Sequence, residues 1–194
     1  MPNHPDLHLA DAHFVTDRLL VGGDLQPDAD VALAQARELG DAGVTHVLDA
    51  RIEWRDPETW RRVPAVEYRW DGIDDRGQRV PRAWFERTAS WALAALEQPG
   101  TVVLTHCHMG INRGPSAGFA VLLGLGWDPL DAMDAIRTAR PVAFVAYAED
   151  ALRWHHQRAG TGVVARRAER RRLRRWREEH ELDLDSAVRR VREA

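Results

Sequence analysis

One short stretch of the chain combines residue types that can handle phosphate. Residues 103–118 read VLTHCHMGINRGPSAG and hold the only cysteine, Cys107, with Gly110 three places later and Arg113 six places later. A thiolate is a nucleophile, and a planar guanidinium can bind two oxygens of a tetrahedral anion. A glycine between them lets the backbone curl so that its N–H groups face an anion. The stretch therefore predicts phosphate chemistry at Cys107.

The flanking residues predict that this stretch joins a strand to a helix. TVVLTH at 101–106 is a β-branched run too short for a helix, and 114–126 is helical in pattern with Pro115 in its first turn. In open α/β sheets ligands bind beyond the carboxyl ends of strands, and a helix N-terminus carries unpaired N–H groups and a partial positive charge. We therefore expect an anion site that favours the thiolate form of Cys107.

Strand and helix patterns alternate along the rest of the chain. Strands are predicted at 17–23, 44–50 and 66–70, and helices at 28–40, 81–98 and 128–140. This alternation predicts an α/β fold with a mostly parallel central sheet flanked by helices on both faces.

The residues from about Thr161 onward differ in composition and predict a C-terminal helical extension. They are rich in arginine and carry apolar residues at spacings of three and four, including Leu173 and Trp176. We therefore divide the chain into a catalytic domain at 1–160 and an Arg-rich amphipathic tail at 161–194. The apolar stripe is expected to pack on the domain or on a second copy. Alternatively, the arginines attract acidic partners, nucleic acid or anionic lipid.

Composition excludes several classes of protein. With 194 residues and 44% hydrophobic side chains, the chain suits one globular domain with an appendage. A single cysteine forms no internal disulfide, no secretion signal is recognised, and no apolar stretch approaches the roughly 20 residues of a membrane helix. We expect a cytoplasmic protein without membrane insertion.

Charge and residue clustering bear on partners and cofactors. The net charge of −3 makes nucleic acid an unlikely partner, and every basic side chain other than histidine is arginine. No cluster of His, Cys or acidic residues has the spacing of metal ligands, so neither a metal nor another cofactor is expected. The oligomeric state stays open.

The motif also resembles a known family. HCHMGINR at 106–113 resembles the HCxxGxxR signature of cysteine-dependent phosphatases, and the layout of residues 14–155 is similar to the VH1-like dual-specificity branch. The resemblance implies that Cys107 is the nucleophile that forms a phosphocysteine and that Arg113 binds phosphate. It also implies that His106 orients the turn. The remaining phosphate-binding residues of the turn are then His108, Met109, Gly110, Ile111 and Asn112.

A proton donor for the leaving oxygen must come from another part of the chain. The segment DGIDD offers Asp71, Asp74 and Asp75, and the family pattern places the acid about thirty residues before the cysteine. Asp75, which precedes Cys107 by 32 positions, is the leading candidate. Asp74 is the close competitor, and Asp71 or no dedicated acid are the remaining alternatives.

Gly114 departs from the family pattern, which has serine or threonine after the arginine. That hydroxyl stabilises the cysteine thiolate when water breaks the phosphocysteine, so its absence affects the second chemical step. Ser116 is predicted to offer a substitute hydroxyl from the first turn of the helix. If nothing compensates for the missing hydroxyl, Gly114→Ser should accelerate turnover.

These observations predict a hydrolase of phosphoproteins, with phosphotyrosine favoured and phosphoserine or phosphothreonine as further substrates. Alternatives are a phosphate-binding module with negligible turnover, and a phosphatase of phosphoinositides or of RNA 5′-phosphates. Four aromatic residues are candidates either for a wall of the substrate cleft or for the core. They are Trp54, Trp60, Tyr68 and Trp70.

Overall fold

The computed structural model describes residues 5–193 and contains one five-stranded sheet. The strands are β1 (Ala12–Thr16), β2 (Leu19–Gly22), β3 (His46–Asp49), β4 (Glu67–Trp70) and β5 (Val103–His106), in the spatial order β1-β2-β5-β3-β4. β1 is antiparallel to β2, and the other neighbours are parallel. The predicted α/β fold with a mostly parallel sheet is therefore confirmed.

Eight helices are described, and they account for most of the remaining chain. They are α1 (Ala29–Asp41), α2 (Pro57–Arg61), α3 (Arg82–Leu96), α4 (Arg113–Gly124), α5 (Pro129–Ala139), α6 (Ala148–Arg158), α7 (Val163–Glu179) and α8 (Leu184–Glu193). The expected helices correspond to α1, α3, α4 and α5. Sequence patterns missed the short α2, the edge strand β1 and the helix α6, whose polar residues dilute its apolar face.

The two faces of the sheet bury separate apolar clusters. On one face the strands pack against α3, α4 and α5, with α6 and α7 packed on those helices, and Val103 belongs to this cluster. On the other face Leu104, the next residue of β5, packs with Leu33 of α1 and Trp60 of α2. Successive strand residues point to opposite faces, so β5 is apolar on both sides and lies at the centre of the sheet.

The helix α7 packs against the helical layer through its apolar stripe. Leu173 and Trp176 are buried in the same cluster as α5 and α6, and the Trp176 indole N–H donates to Asp134 at 2.8 Å. The first part of the tail is thus attached to the globular body through its buried face.

In residues 5–193, no helix has the length and apolar character required to cross a bilayer.

A buried polar cluster lies where β3 and β5 end. Arg51 donates to both carboxylate oxygens of Asp49, through Nε at 2.8 Å and Nη2 at 2.6 Å. Asp24 and Asp56 also bind its guanidinium. His106 is fully enclosed, and its Nε2 lies 3.9 Å from Asp49 and makes no hydrogen bond to a described residue. The cluster joins the loops that follow β2 and β3 to the end of β5.

Burial controls protonation in this cluster. Loss of solvation lowers the pKa of His106 from its ordinary 6.5, and this outweighs the opposing charge of Asp49. Burial by itself would raise the pKa of Asp49, but hydrogen bonds and charge from Arg51 contribute to holding it below the usual range. His106 is therefore neutral in the folded protein at neutral pH.

This neutral histidine predicts a measurable pH dependence of stability. Below about pH 6.5 the unfolded chain protonates His106 while the folded chain resists protonation, so the free energy of unfolding falls with pH. His106→Gln should make that fall shallower, by up to about 1.4 kcal/mol per pH unit between pH 6.5 and 5. Denaturant unfolding of both proteins across this range measures the effect. Equal slopes would show that His106 does not titrate in this way.

Candidate active site

The segment Cys107–Asn112 connects β5 to α4 and is called the Cys loop below. The Cys107 side chain is buried and carries a free thiol, and the Cys107 N–H donates to the carbonyl of Gly22 at 3.3 Å. The loop therefore begins beside the end of β2 and ends at Arg113, the first residue of α4.

Four successive carbonyl groups of the Cys loop accept hydrogen bonds from outside the loop. The Asp24 N–H donates to His108 O at 3.0 Å, and the Phe144 N–H donates to Ile111 O at 2.7 Å. Between them, the Met109 and Gly110 carbonyls both bind Arg140. These contacts turn the carbonyl oxygens away from the interior of the loop.

Arg140 is the shared partner of the two central carbonyls. Its Nε donates to Gly110 O at 2.7 Å and its Nη2 to Met109 O at 3.0 Å. Asp11 binds the two terminal nitrogens of the same guanidinium at 2.6 and 2.7 Å. The charge of this buried arginine is therefore paired, and its position is fixed from both sides.

The orientation of the carbonyls determines where the loop N–H groups point. In a trans peptide the N–H points opposite to the C=O of the same unit, so the N–H groups of residues 109–112 point away from the outer partners. No N–H from His108 to Asn112 donates a hydrogen bond to another described residue. The loop thus presents consecutive unpaired donors next to the thiol, which is the arrangement of an anion-binding nest.

Gly110 permits this curvature. Its φ of +60° lies in the left-handed region that glycine adopts at low cost. A Cβ at this position would lie 2.5 Å from Arg140 Nη2 and 2.6 Å from the carbonyl carbon of Gly22. Both the backbone conformation and the close packing therefore require glycine.

Arg113 is buried beside the loop and is held by an acidic partner. Its Nη1 and Nη2 donate to the two carboxylate oxygens of Glu53 at 2.8 and 2.7 Å, and Nη1 also donates to Ile73 O at 3.1 Å. Burial opposes the charged form, but Glu53 and the nearby Cys107 raise the pKa of Arg113 overall. Its Nε is buried without a hydrogen-bond partner among the described residues, which leaves one donor for an oxyanion.

Asp75 contacts the end of the Cys loop. Its carboxylate accepts a hydrogen bond from the Asn112 side-chain amide and another from the Tyr147 hydroxyl at 2.9 Å, and it lies 3.3 Å from Arg113 Nε. Burial and the charge of Asp75 raise the pKa of Tyr147 to about 12, so its hydroxyl stays protonated and donates. These contacts place a carboxyl group next to Arg113.

The two competing acids make different contacts. Both carboxylate oxygens of Asp71 bind Arg87, at 2.8 and 2.9 Å, and its carbonyl accepts from the Trp84 indole. The Asp74 carboxylate lies 3.4 Å from Arg76. In the described structure, only Asp75 of the three has a side-chain contact with Asn112 or Arg113.

Gly114 is closely packed, so the Gly114→Ser change carries a steric cost in addition to any effect of the added hydroxyl. A Cβ at residue 114 would lie 2.8 Å from both the Cα and the carbonyl carbon of His106 and 3.0 Å from the Cys107 nitrogen. These are backbone atoms, so a serine side chain requires the helix to move. Residue 114 is thus a point where α4 lies directly against the end of β5.

Ser116 is buried and its hydroxyl has other partners. It lies 3.4 Å from Asn112 Oδ1 and accepts from the Tyr147 N–H at 3.3 Å. Asn112 Oδ1 also accepts from the Ala146 N–H at 2.6 Å. The described contacts of Ser116 therefore connect α4 to the segment before α6 and do not include Cys107.

The candidate aromatic residues separate into core and surface. Trp60 is buried on α2, and the Tyr68 hydroxyl donates to Asp49 at 2.6 Å. Trp54 and Trp70 are exposed, and the Trp54 ring meets His108 of the Cys loop edge to face, with ring centres 5.0 Å apart. His108 is exposed and its Nδ1 lies 3.3 Å from Asp24. Trp54 is therefore the aromatic side chain positioned beside the loop.

Sequence reasoning missed four residues that support the site. Arg140 donates to two carbonyls of the loop and is paired with Asp11, Glu53 binds Arg113, and Tyr147 binds Asp75. None of them lies in a local motif that points to phosphate chemistry.

Within residues 5–193 no group of three or more His, Cys, Asp or Glu side chains is arranged to hold a metal ion.

Comparison with known sequences identifies relatives of part of the chain. Dual specificity protein phosphatase 26 from Homo sapiens is 33% identical over 98 residues, which cover 50% of this chain and 46% of the relative. The protein of the same name from Rattus norvegicus matches at the same identity and coverage. The chain thus spans about half the length of the curated relatives it matches. No protein-family model matches it.

Comparison with solved structures identifies the fold. A structure of PTPMT1 in complex with PI(5)P has a TM-score of 0.65 at 20% identity and covers 77% of this chain and 97% of its own. A structure of human DUSP28 has a TM-score of 0.62 at 20% identity, with 77% and 95% covered. The chain therefore has the same fold as these two structures, and half of it is similar in sequence to dual specificity protein phosphatase 26.

Proposed function

We propose that this protein hydrolyses phosphoric monoesters through a phosphocysteine intermediate on Cys107. The observation that carries the proposal is the set of unpaired N–H groups from His108 to Asn112 next to the buried thiol. These donors, with Arg113 Nε, can surround the three non-bridging oxygens of a phosphoryl group. Similarity to dual specificity protein phosphatase 26 supports the same activity.

In the first step the Cys107 thiolate attacks phosphorus and the bond to the leaving oxygen breaks. The phosphoryl oxygens lie against the loop N–H groups and Arg113, which stabilise the charge that they carry in the transition state. Asp75, in its protonated form, gives its proton to the leaving oxygen. The products of this step are phosphocysteine, an alcohol or phenol, and ionised Asp75.

In the second step water attacks the phosphorus of the phosphocysteine. The ionised Asp75 accepts a proton from that water, the sulfur–phosphorus bond breaks, and inorganic phosphate leaves. Residue 114 is glycine and supplies no hydroxyl to the departing thiolate. The loop N–H groups and the N-terminal end of α4 stabilise that thiolate instead. The enzyme returns to its starting state without a cofactor.

The substrate class that we favour is a phosphorylated protein in the cytoplasm, with phosphotyrosine preferred. Trp54 is exposed beside His108 and can contact the ring of an aryl phosphate. A phosphoinositide substrate is a second candidate because the fold resembles PTPMT1, which has been solved with PI(5)P. The Cys loop itself contains no lysine or arginine between Cys107 and Arg113, which favours the phosphoprotein.

The nucleophile can be tested directly with Cys107→Ser. The variant should lose turnover of p-nitrophenyl phosphate, because a serine hydroxyl is protonated and is a poor nucleophile at this site. Vanadate or phosphate binding, measured by calorimetry, should persist because the loop N–H groups and Arg113 remain. Activity close to that of the wild type would eliminate the thiolate mechanism. Binding with no turnover in the wild type would instead identify a phosphate-binding module.

The acid can be tested with matched variants at adjacent positions. Asp75→Asn should slow hydrolysis of tyrosyl or alkyl phosphates by about a hundredfold or more, because their leaving oxygens need a proton. An aryl phosphate with a strongly acidic phenol should be affected much less. Asp74→Asn is the control and should behave like the wild type with both substrates. The reverse pattern would transfer the acid role to Asp74.

The close packing at residue 114 predicts that Gly114→Ser destabilises the protein. Forcing atoms into a packed region costs about 1 to 3 kcal/mol, and the displaced Cys loop should also turn over substrate more slowly. Gly162→Ser is a suitable control, since a Cβ there would meet no atom within 4 Å. Denaturant unfolding and steady-state assays measure both effects. Unchanged stability with faster turnover would instead support a missing catalytic hydroxyl.

A further inference from the structure

The outward side of α7 carries a concentration of positive charge. Residues 163–175 contain seven arginines and one glutamate, in a chain whose net charge is −3. Arg167, Arg170, Arg171 and Arg174 line one surface depression and are called the arginine face below. Because Leu173 and Trp176 are buried on the opposite side, α7 presents these four residues in a fixed direction.

Much of this charge has no counterion in the protein. The two nearby glutamates already have partners: Glu169 lies 2.7 Å from His156 Nε2, and Glu149 binds Arg174 at 2.8 Å. Neither Arg167 nor Arg171 has an ionic partner among residues 5–193, and both are exposed. Like charges that repel one another and lack counterions favour a multivalent anionic partner.

Exposed apolar side chains accompany the arginines. Val163 and Val164, in the first turn of α7, are 62% and 83% exposed. Trp127 is also exposed, and it precedes Asp128, which binds Arg172 of α7 at 2.9 and 3.1 Å. Arginine with exposed aliphatic and tryptophan side chains is the composition of surfaces that lie at a bilayer interface.

Two further arginines, Arg153 and Arg79, contact the same carboxylate, Asp150. Asp150 binds Arg153 of α6, and it lies 4.0 Å from Arg79 and accepts the Val80 N–H at 2.9 Å. Arg79 follows the acid segment that contains Asp75 by four residues. Burial, with the charges of Arg79, Arg170 and Arg174 among the smaller causes, lowers the pKa of Arg153. The charge of Arg153 and Arg79 is thus shared with Asp150, and the uncompensated positive charge lies on the arginine face itself.

We propose that the arginine face and the adjoining Val163 and Val164 bind an anionic membrane surface peripherally. The arginines pair with lipid phosphates and carboxylates, while the valines lie among the headgroups without crossing the bilayer. A nucleic acid would also suit the charge, but the exposed valines have no role in binding a phosphate backbone. The exposed valines therefore favour a lipid surface over a nucleic acid as the partner.

Vesicle co-sedimentation of the full chain tests this proposal. The wild type should bind vesicles of phosphatidylcholine with 30 mol% phosphatidylserine and should dissociate as salt is raised, but should not bind pure phosphatidylcholine. Arg167→Glu with Arg171→Glu should weaken binding about tenfold or more. The control is Arg37→Glu with Arg62→Glu, which changes the net charge equally at exposed positions on the α1–α2 side. The control should retain binding.

A second double variant separates lipid from other polyanions. Val163→Ser with Val164→Ser should weaken vesicle binding severalfold and leave binding to a soluble single-stranded RNA unchanged. Turnover of p-nitrophenyl phosphate should be equal in all three double variants and the wild type, so loss of vesicle binding is distinguishable from loss of the proposed activity. Absent vesicle binding, equal effects of the two charge-reversed doubles, or RNA binding alone would overturn the proposal.

Discussion

The outward direction of the Cys-loop carbonyls is the constraint on which the site depends. Every peptide unit that gives its oxygen to Arg140, Asp24 or Phe144 must present its N–H on the opposite side. The loop N–H groups are therefore left facing the side of the proposed anion, because the carbonyl groups on the other side are all paired with donors. Asp11 contributes to the same arrangement, since it is the only ion-pair partner of the buried Arg140 guanidinium among residues 5–193.

The second feature of the site is its balance of charge. Arg113 is paired with Glu53 through both terminal nitrogens, while its Nε lies toward Asp75 and has no hydrogen-bond partner among the described residues. Glu53 therefore fixes the plane of the guanidinium without using the donor nearest the acid. Tyr147 fixes Asp75 in the same way, because a hydroxyl that stays protonated can only donate to the carboxylate.

The local sequence correctly predicted the strand β5 and the helix α4, while the anion site between them stays a prediction. A β-branched run, a cysteine, a glycine and an arginine before a helix predicted the strand, the turn and the anion site, because all of these lie within a few residues of one another. Arg140 and Asp11 are 129 residues apart and contribute only through the fold. The space at Gly114 depends on the distance between two backbones, which a family pattern does not encode. Glu53 and Tyr147 likewise act through tertiary contacts.

The most direct test of the central claim is to find where phosphorus resides during turnover. The enzyme is mixed rapidly with p-nitrophenyl phosphate, quenched in acid within the first turnovers, digested, and analysed by mass spectrometry. The account predicts a phosphorylated peptide that carries the modification on Cys107, formed at the rate of the initial release of phenol. Phosphate on a histidine or aspartate, or a phenol burst with Cys107 unmodified, would contradict it.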